Sequence, residues 1–473
     1  MSHKRQSQPP SRAKGRTRGH RAEAKISRRQ FVRNLGGAAI AASAAAEGSW
    51  SALRAVAYAA TSPAKELSVA LSLGPWNGSV EYLFKKYGEA TGTTFKTTKA
   101  PYIEHYRRMV QAMQRQDASY DFIVIDPAMY GTIFFKNKLV TPIKEIDPSW
   151  KPDPNLIEPH IKVGTYEGVT YALPIVGNTQ LLFYRSDVTR AAGFAGPPKT
   201  INEMIEVNKK VTDTGRPFYG CIVPAKANYD IVYTSLAYVK SAGGDIFSTD
   251  SGPDWTIRFT SPESVKGYKA WLSLRPWSSP DSANVHWAEL MNYILTDRAW
   301  GGLTVAAQVF QIDDPKFSKV PGKIDVAMPL IIDGGSGKPA PILGTWSMAI
   351  PLRAPRKGEA LAFMKWALTR ENQRDFALQG GIAVRRDVLT DPALTKDPKN
   401  RWFAAELESS ALGQLRPQME HWIEVQDRMV PYLQKAFTNE MPLVAALNAA
   451  AKDVQELLDR YGYKHGPLQL AKE

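Results

Sequence analysis

Trp76 and Asn77 lie in the turn after residues 67–73, a run that reads as a strand, and Asp126 ends another strand-like run at residues 120–126. Side chains just beyond the carboxyl end of a strand in an open α/β sheet face the crevice where ligands bind. An indole face covers the apolar side of a polyhydroxylated ring, and carboxylate or amide groups take up its hydroxyls, so this set suits capture of a small polar molecule. Each residue also has a plainer role. Trp76 can fill core, Asp126 before Pro127 can cap a turn, and Ser79 after Gly78 can serve as a helix N-cap or help offer helix N–H groups to a ligand oxygen.

Signatures of catalysis are weak by comparison. Gly334-Gly335-Ser336-Gly337-Lys338 mimics a phosphate loop, but Ile332 stands where the first glycine is required and Pro339 follows the lysine in place of Ser or Thr. Lys338 also occupies the last glycine of a serine-hydrolase elbow. The seven histidines are scattered, without a pair at metal-ligand spacing on a helix. Cys221 is the only cysteine, which excludes an intramolecular disulfide or a multi-thiolate centre and suits a small buried hydrophobe. The expectation is therefore a non-enzyme without cofactor or metal. Paired carboxylates for glycoside cleavage stay open, since they can lie far apart along a chain.

The elements that would position these residues alternate between strand and helix. Residues 67–73, 94–99, 120–126, 169–174, 179–184, 324–328 and 342–350 read as strands. Helices are predicted on the apolar faces Val80–Leu83–Phe84–Tyr87, ending near Gly92, and Ile103–Tyr106–Val110–Met113. Others are expected at residues 202–211, 265–274 and 359–368, and on the terminal stripe Leu443, Leu447, Val454, Leu457 and Leu458. Arg416-Pro417 reads as a connection. The pattern predicts an α/β fold.

Charge is uneven. Residues 1–60 carry twelve Lys and Arg against two Glu, and so hold +10 of the net +14. The remaining body is only mildly basic, which gives no support for a nucleic-acid partner. Ser27-Arg28-Arg29-Gln30-Phe31-Val32-Arg33, a short Ala- and Gly-rich apolar stretch and Ala57-Tyr58-Ala59 resemble a twin-arginine export signal with its cleavage site. The apolar stretch is shorter than the roughly twenty residues needed to span a bilayer. The mature chain is expected to be soluble, and periplasmic or extracellular.

Residues 168–174 followed by 178–187 pair Gly-Val-Thr-Tyr-Ala-Leu-Pro with Asn-Thr-Gln-Leu-Leu-Phe-Tyr-Arg-Ser-Asp. With Ala192-Gly193-Phe194, Pro197-Pro198-Lys199-Thr200, Ser241-Ala242-Gly243-Gly244, Phe259-Thr260-Ser261-Pro262-Glu263, residues 343–351 and residues 379–385, they resemble, in order, the bacterial extracellular solute-binding proteins that include the maltose- and oligosaccharide-binding proteins. The resemblance implies a two-lobed periplasmic-binding-protein fold of type II, with a hinge and an inter-lobe ligand cleft. The implied division is residues 1–60 as export signal and basic extension, 63–176 plus 343–395 as lobe 1, and 177–342 plus 396–473 as lobe 2. It implies a monomer that captures a sugar or polyol and delivers it to the permease subunits of an ABC importer. A polyamine or other charged solute, or an exported glycoside hydrolase, are the alternatives.

By the same resemblance Tyr130 joins Asp126 in a hydroxyl-binding loop, and Trp346 lies at the cleft. Asn178, Tyr229, Asp230 and residues 300–308, with Trp300 in place of the family's Gly-x-Trp, would contribute from lobe 2. Arg385 would reach in from residues 379–385, or serve on the surface. With Trp76 and Asn77 these form the expected ligand-binding set.

Overall fold

The computed structural model of the protein describes residues 66–213 and 216–472. Its first sheet is mixed, in the order β2-β1-β3-β10-β6, with β1 Glu66–Ser72, β2 Thr94–Ala100, β3 Phe122–Ile125, β6 Ala172–Val176 and β10 Trp346–Ala349. β1 runs parallel to β2 and β3, and β10 runs antiparallel to both β3 and β6. A second sheet, β8-β7-β9, joins β7 Gln180–Arg185 antiparallel to β8 Gly301–Val305 and β9 Ile324–Ala327. The short strands β4 Thr165–Tyr166 and β5 Val169–Thr170 form a hairpin ahead of β6. The chain thus passes from one sheet to the other at residues 177–179, and back again between β9 and β10.

Hydrophobic pattern explains the packing. Helix α1, Asn77–Thr91, buries Val80, Leu83, Phe84 and Tyr87 as its spacing predicts, and ends at Gly92, whose φ of 75° suits glycine and lets its N–H reach the Gly88 carbonyl at 2.8 Å. The Phe84 ring stacks on Phe95 of β2 at 4.4 Å and meets Phe363 at 5.4 Å, so helix and sheet share one aromatic core. Helix Trp422–Phe437 packs on Tyr229–Ser241 and on the terminal helix Leu443–Arg460, whose predicted stripe is buried at Leu447, Val454, Leu457 and Leu458, with Leu443 half-buried.

Three readings need correction. Helix α2, Tyr102–Gln114, buries His105, Met109, Ala112 and Met113, while Ile103 is 38 % exposed. His105 turns inward because one ring nitrogen bonds the Val124 carbonyl of β3 at 2.9 Å, and burial lowers its pKa to about 4, keeping it neutral. Residues 342–350 form a strand only over Trp346–Ala349, because the residues before them make the crossing between sheets. Ser79 is no N-cap: α1 starts at Asn77, and the Ser79 hydroxyl donates to the Gln379 carbonyl at 2.8 Å.

Candidate functional site

Three parallel strands each hand over one side chain at their carboxyl ends: Trp76 after β1, Tyr102 after β2 and Asp126 after β3. Trp346 arrives from the opposite direction. It opens β10 one residue before Ser347, which pairs with Ile125, so its indole stands level with Asp126. All four line one open-mouthed cavity. Strand ends and helix starts on the side of the second sheet complete the lining with Asn178, Tyr229, Asp230, Tyr233, Trp287 and Gln308, and Arg416 enters from a C-terminal connection.

One wall is aromatic. Trp76 lies against Trp346 with ring centres 4.7 Å apart, Tyr102 meets Trp346 edge-on at 5.6 Å, and Tyr229 lies 5.2 Å from Tyr102. Gly74 makes room for this wall, since a Cβ there would come within 2.5 Å of the Trp76 ring. Asn77 holds the turn: its Oδ1 accepts the Gly74 N–H, and its Nδ2 donates to the Ser72 carbonyl at 3.0 Å.

The polar groups are organised around a buried ion pair. Arg416 Nη2 donates to Asp126 Oδ1 at 2.7 Å and to Oδ2 at 2.8 Å, with the two side chains 3 % and 7 % exposed. Burial opposes the guanidinium charge, but the facing carboxylate more than offsets it, and Arg416 stays protonated. Its plane lies 5.3 Å from the Tyr233 ring, and the Tyr102 hydroxyl donates to Asp126 Oδ2 at 2.8 Å. Asp230 has no such cation. Burial pushes its pKa up to about 7, against the pull of the Trp287 N–H, which donates to its Oδ2 at 3.1 Å. The cavity side chains are therefore close to electrically balanced at neutral pH.

Next to the lining runs a closed polar chain. Thr179, beside Asn178, donates to Glu406 Oε2 at 2.7 Å, and Ser410 donates to Glu406 Oε1 at 2.9 Å. His160 joins the Ser410 hydroxyl at 2.9 Å to that of Thr345, beside Trp346, at 2.7 Å. Both crossings between the sheets are tied to this chain. Burial drives both titratable members toward neutrality, raising Glu406 to about 8 and lowering His160 to about 3.

Of the expected set, Trp76, Asp126, Asn178, Tyr229, Asp230 and Trp346 line the cavity, and Asn77, Tyr130, Trp300 and Arg385 do not. Tyr130 lies under the Asp126 loop against Tyr106 and Phe134. Trp300 is fully buried in core beside Tyr184, with its N–H on the Thr189 hydroxyl at 2.9 Å. Arg385 is neither at the cleft nor on the surface: it is buried in a structural clamp on Asp387, Asp153 and the Leu368 carbonyl. Sequence reasoning missed Tyr102, Tyr233, Trp287 and Arg416. The carboxyl-end rule that selected Trp76 and Asp126 applies equally to Tyr102 after β2. Arg416 gives no local sign, because its partner lies 290 positions away. Among the described residues no cluster of His, Cys, Asp and Glu is arranged to hold a metal ion, and Cys221 is buried.

A sequence profile of the bacterial extracellular solute-binding proteins matches residues 82–401. The probable amino-acid ABC transporter periplasmic-binding protein y4oP of Sinorhizobium fredii is 25 % identical over 328 residues, spanning 67 % of this chain and 72 % of that protein. The maltotriose-binding protein of Pyrococcus abyssi is 25 % identical over 261 residues, 54 % of this chain and 52 % of that protein. An ABC transporter solute-binding protein of Thermotoga lettingae, solved with α-D-tagatose, superposes with a TM-score of 0.72 at 21 % identity, covering 84 % of this chain and all of that one. The family is one of transport-associated solute-binding proteins rather than enzymes. This chain belongs to the bacterial extracellular solute-binding proteins.

Proposed function

We propose that the chain is the extracytoplasmic solute-binding component of an ABC importer and captures a sugar or polyol in the cavity walled by Trp76, Tyr102, Tyr229 and Trp346. The observation that carries this reading is an aromatic wall facing an electrically balanced polar set. Aromatic faces cover the apolar sides of a sugar, and paired charges reach its hydroxyls without demanding a charged ligand. A polyamine would need several free carboxylates, but Arg416 engages Asp126 and burial leaves Asp230 only partly ionised at pH 7. The names of the maltotriose-binding relative and the tagatose-bound neighbour favour a sugar, and that of y4oP an amino acid. An amino acid would need a free partner for each of its charges.

A two-lobed division, 63–176 plus 343–395 and 177–342 plus 396–473, is supported by the strands: those of the first sheet fall wholly in one part and those of the second in the other. Closure of the lobes about residues 177–179 and 343–345 would enclose the ligand and create the surface read by the permease subunits, with the binding protein acting as a monomer.

The reading is tested by thermal denaturation of the chain from residue 60 against sugars, polyols, polyamines and amino acids. A ligand held only by the folded state at a thousand-fold excess over Kd adds about 4 kcal/mol of stability. A sugar or polyol is expected to raise Tm selectively, and Trp346→Ala to weaken that ligand about ten- to a hundred-fold by removing the central ring. A rise with polyamines or amino acids alone would replace the ligand class.

Export by the twin-arginine route rests on Arg28-Arg29 and the short apolar stretch behind them, which lie outside the described residues. Arg28→Lys with Arg29→Lys is expected to leave the precursor in the cytoplasm on cell fractionation. Unchanged export would remove this assignment.

A further inference from the structure

We infer that the cavity selects a ring-form sugar over an open-chain polyol, with Arg416 as the specificity-determining contact and Asp126 as a positioning residue. This rests on the sugar-or-polyol reading of the same site. A carboxylate has about four acceptor positions. On Asp126 they are taken by the Ala128 N–H at 3.1 Å, by Arg416 Nη2 on both oxygens and by the Tyr102 hydroxyl at 2.8 Å. Asp126 therefore has little capacity left for a ligand hydroxyl, and what it does is aim Arg416 and Tyr102.

Donors stand in the opposite position. Arg416 lines the cavity and is 3 % exposed, yet its Nε–H has no partner among the described residues. Gln308 lines it too and is 1 % exposed, with its Nε2 amide unpartnered and its Oε1 taken by Gln311. The Tyr102 and Tyr233 protons are already given to Asp126 and to the Ile342 carbonyl. Apart from the Asp230 carboxyl, which already takes the Trp287 N–H, the site thus asks its ligand for acceptors and has few to return. A hydroxyl that accepts from Arg416 must still place its own proton, and burying that proton unpaired is costly. The ring oxygen of a pyranose or furanose accepts and has no proton to place. Reducing an aldose to its alditol turns that oxygen into a hydroxyl, so the two differ at the atom this site reads.

Calorimetric titration of the purified full chain with matched pairs, glucose and glucitol, mannose and mannitol, galactose and galactitol, tests the inference. The best-bound sugar is expected to bind at least about ten-fold more tightly than its alditol, the loss that follows when a buried polar group is left unpaired. Arg416→Lys keeps the charge facing Asp126 but removes the Nε–H, and should bring that ratio toward one. Gln308→Met should lower it in part, which gives a second reading if the Arg416 variant does not fold. Asp126→Asn should weaken the sugar more than its alditol and so lower the ratio, as expected of a residue that aims Arg416. An alditol bound as well as its sugar would overturn the inference and leave the sugar-or-polyol reading standing. Binding of neither member of any pair would overturn both.

Discussion

Replacing Arg416 with Met is expected to destabilise the folded chain by about 3–5 kcal/mol, because it leaves a nearly buried carboxylate without its counter-charge. Asp126 is 5 % exposed, and without the guanidinium it keeps only the Tyr102 hydroxyl and the Ala128 N–H. The partner substitution separates the ion pair from simple loss of packing. Asp126→Asn in the Arg416→Met background removes the stranded charge and should restore about 2 kcal/mol or more, a coupling of the size found for side chains in direct contact. Urea denaturation at pH 7 of the two single variants and the double variant gives that coupling directly. Additive losses would mean that the two side chains do not interact as their 2.7 and 2.8 Å contacts require.

Glu406 is expected to lower stability as pH rises from 5 to 8, and Glu406→Gln to remove that contribution. Glu406 is fully buried, and burial raises its pKa to about 8, with the Thr179 and Ser410 hydroxyls pulling the other way. The folded state therefore holds a proton that the unfolded chain gives up above its ordinary carboxylate pKa. The resulting stabilisation is complete below that pKa and is lost as pH rises toward the folded value. The slope approaches about 1.4 kcal/mol per pH unit for one proton. Asp230, raised to about 7, contributes in the same direction over part of the window, so the difference between wild type and Glu406→Gln isolates Glu406. His160, lowered to about 3, and His105, lowered to about 4, stay neutral in the folded chain while the unfolded chain protonates them below about 6.5, so below that pH they act in the opposite direction, equally in wild type and variant. Glu406→Ala should cost about 2 kcal/mol or more at pH 5, because it leaves two buried hydroxyls without their acceptor. Denaturant titrations at pH 5, 6.5 and 8 measure both effects, and an unchanged wild-type slope in Glu406→Gln would show that its carboxyl is already ionised in the folded chain.

Local order along the chain settled a good part of this protein. Apolar spacing marked β1, α1 and the terminal helix, since a repeat of two or 3.6 residues needs only one buried face to be legible. The rule that ligands sit beyond the carboxyl ends of strands selected Trp76 and Asp126, and it reaches Tyr102 as well. Loop and helix residues such as Asn178, Tyr229 and Asp230 followed from resemblance rather than spacing. Spacing says nothing about partners hundreds of positions apart. Arg416, read as part of a connection, becomes the counter-charge of Asp126, and Arg385, expected at the cleft or the surface, is locked in a buried clamp. Trp300 carries the same side chain as Trp346, yet one fills core and the other faces the cavity. The sequence alone determined the first strands and helices and the terminal helix, where the parallel strands end, and so on which side a cavity opens. Only the tertiary structure decided which polar atoms meet there, because burial and charge pairing depend on neighbours that the fold brings together and the chain order does not.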